Sequence, residues 1–255
     1  MRYSCGLLSP NVSRVVLVVA LVAVFGALWL DGVAAAGEAM EFVAFQEDGS
    51  TEPEPPGEPF FGQERVSGKY LPIDVADSER KLVILLHGYG QSIFGIIDQV
   101  PLLPAAVENG WILVVPSGLS DALSRPYWSA TSTCCDINIR RNDDVGYLRS
   151  VIEREMAIHP IDRDNVTVVG LSNGAFLAYR MACDAADIVG TVVTISGVEK
   201  IDAEECQPKR PVNVYHIHGL YDRAVFFSGG LVGGKPETFA PYPSATTTLN
   251  PWADR

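Results

Sequence analysis

The chain has 255 residues, 47% of them hydrophobic and 20% charged, with a formal net charge of −12. That length is enough to bury the core of one globular domain. A chain this acidic has no electrostatic attraction for nucleic acid or for an anionic membrane surface, which argues against both as partners.

Arg2 and Arg14 stand ahead of an apolar run from Val15 to Leu30, which is followed by Asp31 and the small residues Ala34, Ala35, Ala36 and Gly37. This is the layout of a secretory signal. Residues 1–36 are therefore expected to be a signal peptide or a retained N-terminal anchor, and the rest to be exported: secreted, or held outside at a membrane. Cys5 precedes the apolar run and is badly placed for lipid attachment. Residues 37–66, which include "QEDGSTEPEPPGEPFFGQE", form an acidic Pro/Gly-rich linker with too little apolar surface to fold alone. Residues 67–255 form the folded domain.

"KYLPIDV" alternates as a strand does, and "KLVILLHG", "GWILVVPSG", "NVTVVG", "GTVVTISG" and "VNVYHIHG" are apolar runs that read as buried strands. Between the second and third of these runs, Asn142 or Asp143 caps a helix. Its Val145, Leu148, Val151, Ile152 and Met156 share one face, and it stops before Pro160. A second helix covers residues 174–183, and Pro243-Ser244 opens another that Pro251 cuts short. Buried strands alternating with helices predict an α/β fold, a mostly parallel sheet with helices on both faces. Ligands in such sheets bind beyond the carboxyl ends of the strands. There this chain carries His87-Gly88-Tyr89-Gly90, Ser117-Gly118, Ser172, and His218 through Asp222.

Gly170-Leu171-Ser172-Asn173-Gly174 lies between a strand and a helix. Such a turn lifts a serine hydroxyl above the sheet and aims a helix N-terminus at the developing negative charge. Ser172 is thus the candidate nucleophile. The N–H of Asn173 and that of Tyr89, in "LHGYGQS", are the candidate oxyanion-hole donors. Asp222 follows in the chain order expected of a triad acid.

Export permits disulfides. Cys134, Cys135, Cys183 and Cys206 allow three pairings. Cys183 with Cys206 is favoured, since bonding Cys134 to its neighbour needs a strained local geometry; four unpaired cysteines is the other alternative. No CxxC pair or His/Cys cluster at ligand spacing occurs, so neither a metal nor another cofactor is expected.

"LHGYGQS", "DDVGYLRSVIEREMAIHPIDRDNVTVVGLSNGAFLAYRMACD" and "PVNVYHIHGLYDRAVFFSGG" resemble the polyhydroxybutyrate depolymerase and feruloyl esterase family of secreted α/β-hydrolases, from about Lys69 to Ser244. The resemblance implies a serine esterase acting on carboxylic ester bonds of polymers or oligomers. It carries over Ser172 as nucleophile, Asp222 as acid and the Tyr89 loop as oxyanion loop. Ala175 stands where a further glycine is usual, and Leu220-Tyr221 where a threonine often follows the HG pair. The family's catalytic histidine lies well after the acid, on a loop beyond one more helix and strand. No histidine follows His218 here. His87 reads as structural, His159 belongs at the opposite edge, His216 lies inside a strand, and His218 sits in the HG turn before the acid. The expectation is therefore a triad without its histidine, a fold without its last strand and helix, and either impaired activity or a remnant that only binds esters.

Overall fold

The computed structural model describes residues 15–20, 40–45, 65–72, 80–131, 134–135, 142–199, 206–231 and 241–253. Its main sheet has eight strands: β1 (Val15–Ala20), β2 (Met40–Phe45), β3 (Arg65–Tyr70), β4 (Leu82–Leu86), β5 (Ile112–Pro116), β8 (Val166–Leu171), β9 (Thr191–Ile195) and β10 (Asn213–Gly219). A small hairpin joins β6 (Leu119–Ser120) to β7 (Pro126–Tyr127). The helices are α1 (Ile93–Gln99), α2 (Leu102–Asn109), α3 (Asp144–Ile158), α4 (Asn173–Asp184) and α5 (Ala245–Ala253). The spatial order is β1-β10-β9-β8-β4-β5-β3-β2. The pairs from β1 through β5 are parallel, whereas β3 is antiparallel to both β5 and β2.

The period of two along each strand divides the core. Leu82, Ile84 and Leu86 of β4 point to the face covered by α3, α4 and α5, together with Val166, Val168, Val192 and Val214. Val83 and Leu85 point to the other face, against Ile93 and Ile96 of α1 and Ala106 of α2. Both faces of β4 and β5 are covered, which is why these two strands are apolar throughout rather than alternating. Asp143 caps α3 by accepting from Gly146 N at 2.8 Å. Ser244 caps α5 through Thr247 N, and that helix runs past Pro251 to Ala253.

Three sequence expectations shift. The strand expected at "KYLPIDV" starts earlier, at Arg65, and residues 73–75 of that stretch lie outside the described residues. Met40–Phe45 and Arg65–Val66, placed by composition in the linker, are strand residues. The Met40–Phe45 segment cannot fold alone, but pairing with β3 supplies the hydrogen bonds it lacks. Val15–Ala20, at the head of the apolar run read as an export signal, pairs in parallel with β10 and covers the outer edge of that strand.

Candidate active site

Ser172 occupies the turn from β8 into α4 at φ 51° and ψ −116°. A non-glycine residue there costs roughly 1–3 kcal/mol, so its surroundings must impose the conformation. They do: its N–H donates to Ile195 O at 2.8 Å, and its carbonyl accepts from Ala175 N at 2.8 Å and Phe176 N at 3.1 Å. The turn also needs its glycines. A Cβ on Gly170 would lie 2.2 Å from Gly174 O, and one on Gly174 would lie 2.6 Å from Leu86 O.

The loop after β4 approaches the same point. Gly88 N donates to Gln91 Oε1 at 3.0 Å and Gly90 N to Pro126 O at 2.7 Å. The Tyr89 hydroxyl donates to Asp121 Oδ2 at 2.6 Å, and the Arg125 guanidinium lies 4.9 Å from the Tyr89 ring centre. Burial and the Asp121 carboxylate push the Tyr89 phenol up to about 12. Burial works against the Asp121 charge, but hydrogen bonds from Tyr89, Arg125 and Leu123 outweigh it and hold that carboxyl well below its usual range. Asn173, fully buried, accepts from Trp128 N at 2.7 Å and donates to Trp128 O at 2.9 Å. Trp128 Nε1 in turn donates to His87 O at 3.0 Å. One tryptophan therefore ties the residue after Ser172 to the strand end that launches the Tyr89 loop. Neither the Tyr89 nor the Asn173 backbone N–H has an acceptor among the described residues.

Asp222 lies in the loop after β10, where Oδ1 accepts from Ala224 N at 2.8 Å and Val225 N at 3.0 Å. Its Oδ2 is 3.8 Å from His218 Nε2, beyond hydrogen-bond reach. His218 is fully buried and its Nε2 contacts Val225 O at 2.7 Å. A carbonyl only accepts, so Nε2 carries the proton, and Nδ1 accepts from His216 Nε2 at 3.1 Å. His216 Nδ1 then accepts from the Tyr179 hydroxyl at 2.8 Å, with Thr194 Oγ1 at 2.9 Å. Burial first, and His218 beside it, lower His216 to about 3. His87 is neutral for the same reason, lowered by burial to about 4. Its Nε2 accepts from Gly118 N at 2.9 Å, so Nδ1 holds the proton and donates to Gly88 O at 2.8 Å. His159 follows α3, ahead of β8, at the end of the sheet away from Ser172.

A cavity of about 660 Å³ opens at this edge. Gly88, Tyr89, Gly90 and Gln91 line it from one loop, Leu171 and Ser172 from the elbow, and Asp222, Ala224 and Val225 from the loop after β10. Gln99, Cys135 and Ser196 also line it. Ser172, Tyr89 and Asp222 are thus brought together, while none of the four histidines lines the cavity. The sequence reasoning passed over Gln91, Gln99, Cys135 and Ser196. Ser196 had a usable signal, since it directly follows β9 at the edge where the other loops converge.

Cys183 is bonded to Cys206, the favoured pair, and Cys134 to Cys135. The second bond corrects the expectation that adjacent cysteines would stay apart on grounds of strain. Cys135 takes φ 79°, a left-handed conformation that brings the two side chains together.

The chain is 28% identical over 150 residues to a protein of Nocardia uniformis subsp. tsuyamanensis named as an esterase, NocK. The match covers 59% of this chain and 42% of that protein, so the chain spans under half the length of this relative. A thermostable esterase of known structure superposes with a TM-score of 0.53 at 18% identity, over 72% of this chain and 48% of the other. An acetyl xylan esterase from Aspergillus awamori gives a TM-score of 0.46 at 19% identity, over 63% and 52%. The esterase neighbours share the α/β-hydrolase fold, which this mostly parallel sheet with its covering helices also has. The family described as phospholipase/carboxylesterase matches residues 73–230, more than half of the sequence and all of the loops that meet at Ser172, and the chain belongs to that family.

Proposed function

We propose that this chain is a serine carboxylic-ester hydrolase working through an acyl-enzyme, with Ser172 as nucleophile and Asp222 as triad acid. The observation that carries the proposal is the enforced left-handed turn at Ser172, which faces one cavity together with Asp222 and the Tyr89 loop. Ser172 Oγ attacks the ester carbonyl, and its proton must leave to a base. The negative oxygen of the tetrahedral intermediate is held by the N–H groups of Tyr89 and Asn173 at the start of α4. The alcohol then departs, and water releases the acid by the reverse sequence. Among the described residues the cavity is lined by no Lys or Arg and by one carboxylate, Asp222, which suits uncharged esters. The resemblance of the motifs supports polymeric or oligomeric substrates, hydroxyalkanoate, feruloyl or acetyl esters among them, and an exported enzyme.

The base is the weak point. His218 spends both ring nitrogens on His216 and Val225 and is fully buried. The 255-residue chain is therefore expected to turn over p-nitrophenyl butyrate slowly, keeping the roughly 10³–10⁴-fold advantage over water that an oxyanion hole provides without a complete triad. Appending a C-terminal segment that carries a histidine should raise kcat/KM by at least about a hundredfold. Hydrolysis unchanged by Ser172→Ala would remove Ser172 from the mechanism. Full turnover by the short chain, abolished by His218→Ala, would make His218 the base after all. No turnover by either chain, with esters still bound, would favour an ester-binding role, the reading supported by the lack of a cavity histidine.

A further inference from the structure

We infer that the Cys134–Cys135 disulfide is a specificity-determining wall of the ester cavity, the surface against which the apolar part of the substrate packs. The inference rests on the proposed esterase role of the site. Cys135 lines the cavity that holds Ser172, and the two cysteines are bonded to each other. Both are buried, at 1% and 5% exposure, so the pair is fixed in the wall rather than free at the rim. Joining adjacent residues closes an eight-membered ring that leaves the peptide little freedom. It replaces two thiols with two sulfurs that donate no hydrogen bond and accept only weakly. The sulfur face of the ring offers no hydrogen-bond donor to a charged or hydroxylated chain and makes soft, polarisable contact with alkyl or aromatic groups.

The wall is also tied to the reacting atoms. Cys134 Sγ lies 3.9 Å from Asn173 Nδ2, the same amide nitrogen that donates to Trp128 O. Asn173 directly follows Ser172 and supplies one of the proposed oxyanion donors. Thr131 bridges to both cysteines and holds the ring against the segment after Trp128. A single rigid unit therefore borders the substrate on one side and the side-chain amide of Asn173 on the other. The contrasting disulfide, Cys183–Cys206, joins the end of α4 to the loop before β10, and neither of its cysteines lines the cavity.

Unreactive methyl ketones, isosteres of the ester carbonyl, test this by calorimetric titration. In the native chain 2-octanone should bind at least about ten-fold more tightly than 2-butanone, since it buries four more methylenes. Opening the bond should cut that ratio about five-fold or more, because mobile polar side chains replace the fixed sulfur surface. It is opened in Cys134→Ser/Cys135→Ser, and independently by a dithiol, which cyclises as it passes two electrons and two protons to the pair. Cys183→Ser/Cys206→Ser should keep the native ratio and so accounts for the second bond that the dithiol also opens. The dithiol-treated native chain carries the test if the double variant does not fold. A ratio unchanged on opening Cys134–Cys135 overturns the inference and leaves the esterase reading standing. Absence of saturable ketone binding to the native chain overturns both. Alkylation of Cys134 and Cys135 in native protein without prior reduction overturns the inference at its first step.

Discussion

His87, His216 and His218 are buried imidazoles whose hydrogen-bond roles follow from one rule, that a carbonyl only accepts and a backbone N–H only donates. Val225 O and Gly118 N settle three tautomers between them. The cost appears as a pH dependence. His87 is lowered by burial to about 4 and His216 to about 3, so between those values and 6.5 the unfolded chain binds protons that the folded chain does not. Their contribution is complete above about pH 6.5 and is lost as the pH falls toward 4. His87 alone should cost roughly 3 kcal/mol over that range. Urea midpoints at pH 7 and pH 4.5 check this, and a flat profile would mean that the imidazoles are solvated. The His87 window lies above that of Asp187, held at about 2 chiefly by its hydrogen bond from Arg149, whose contribution fades only below the usual carboxylate range.

The turn from β8 into α4 shows how elements impose a conformation that no single residue prefers. Gly174 sits where α4 passes over the end of β4, with Leu86 O and His87 O at 2.6 and 2.7 Å from a would-be Cβ. Both obstacles are backbone, so neither moves cheaply. Gly174→Ala is expected to destabilise by roughly 3 kcal/mol and to widen the turn that aims Ser172. Denaturant midpoints measure the first effect, and the rate of Ser172 labelling by a fluorophosphonate measures the second. A midpoint within about 0.5 kcal/mol of the native one would show that the crossing of α4 and β4 is looser than the structure has it. The Cys183–Cys206 bond anchors the far end of the same helix and closes a loop of sequence separation 23, a constraint of about 3 kcal/mol in the chain-entropy model.

At the scale of the molecule the sheet has two different margins. Among the described residues β2 forms one, paired antiparallel with β3, and β1 forms the other, paired in parallel with β10. β1 comes from the run that also reads as an export signal, and cleavage there would remove it from the sheet. If residues 1–36 are removed, the open edge passes from β1 to β10 and the β1–β10 ladder is lost. A chain beginning at Gly37 should therefore unfold at a lower urea concentration than the 255-residue chain. An unchanged urea midpoint would show that β1 is dispensable to the sheet.

Local chemistry made much of this protein legible in advance. Apolar runs ended by glycine marked β4, β5, β8, β9 and β10. Asp143 and Ser244 marked helix starts, and the Gly170–Gly174 spacing marked the elbow. Each of these signals involves residues within one turn or one strand, where spacing alone dictates geometry. The pairing of Met40–Phe45 with β3 and of Val15–Ala20 with β10 was not legible, because a strand gains its hydrogen bonds from a partner far away in sequence. The cavity-facing Cys134–Cys135 bond, Trp128 bridging Asn173 to His87, and the His216–His218 chain were likewise decided only in the tertiary structure. Burial decides which polar groups must find partners, and burial is a property of the packed molecule rather than of any stretch of its sequence.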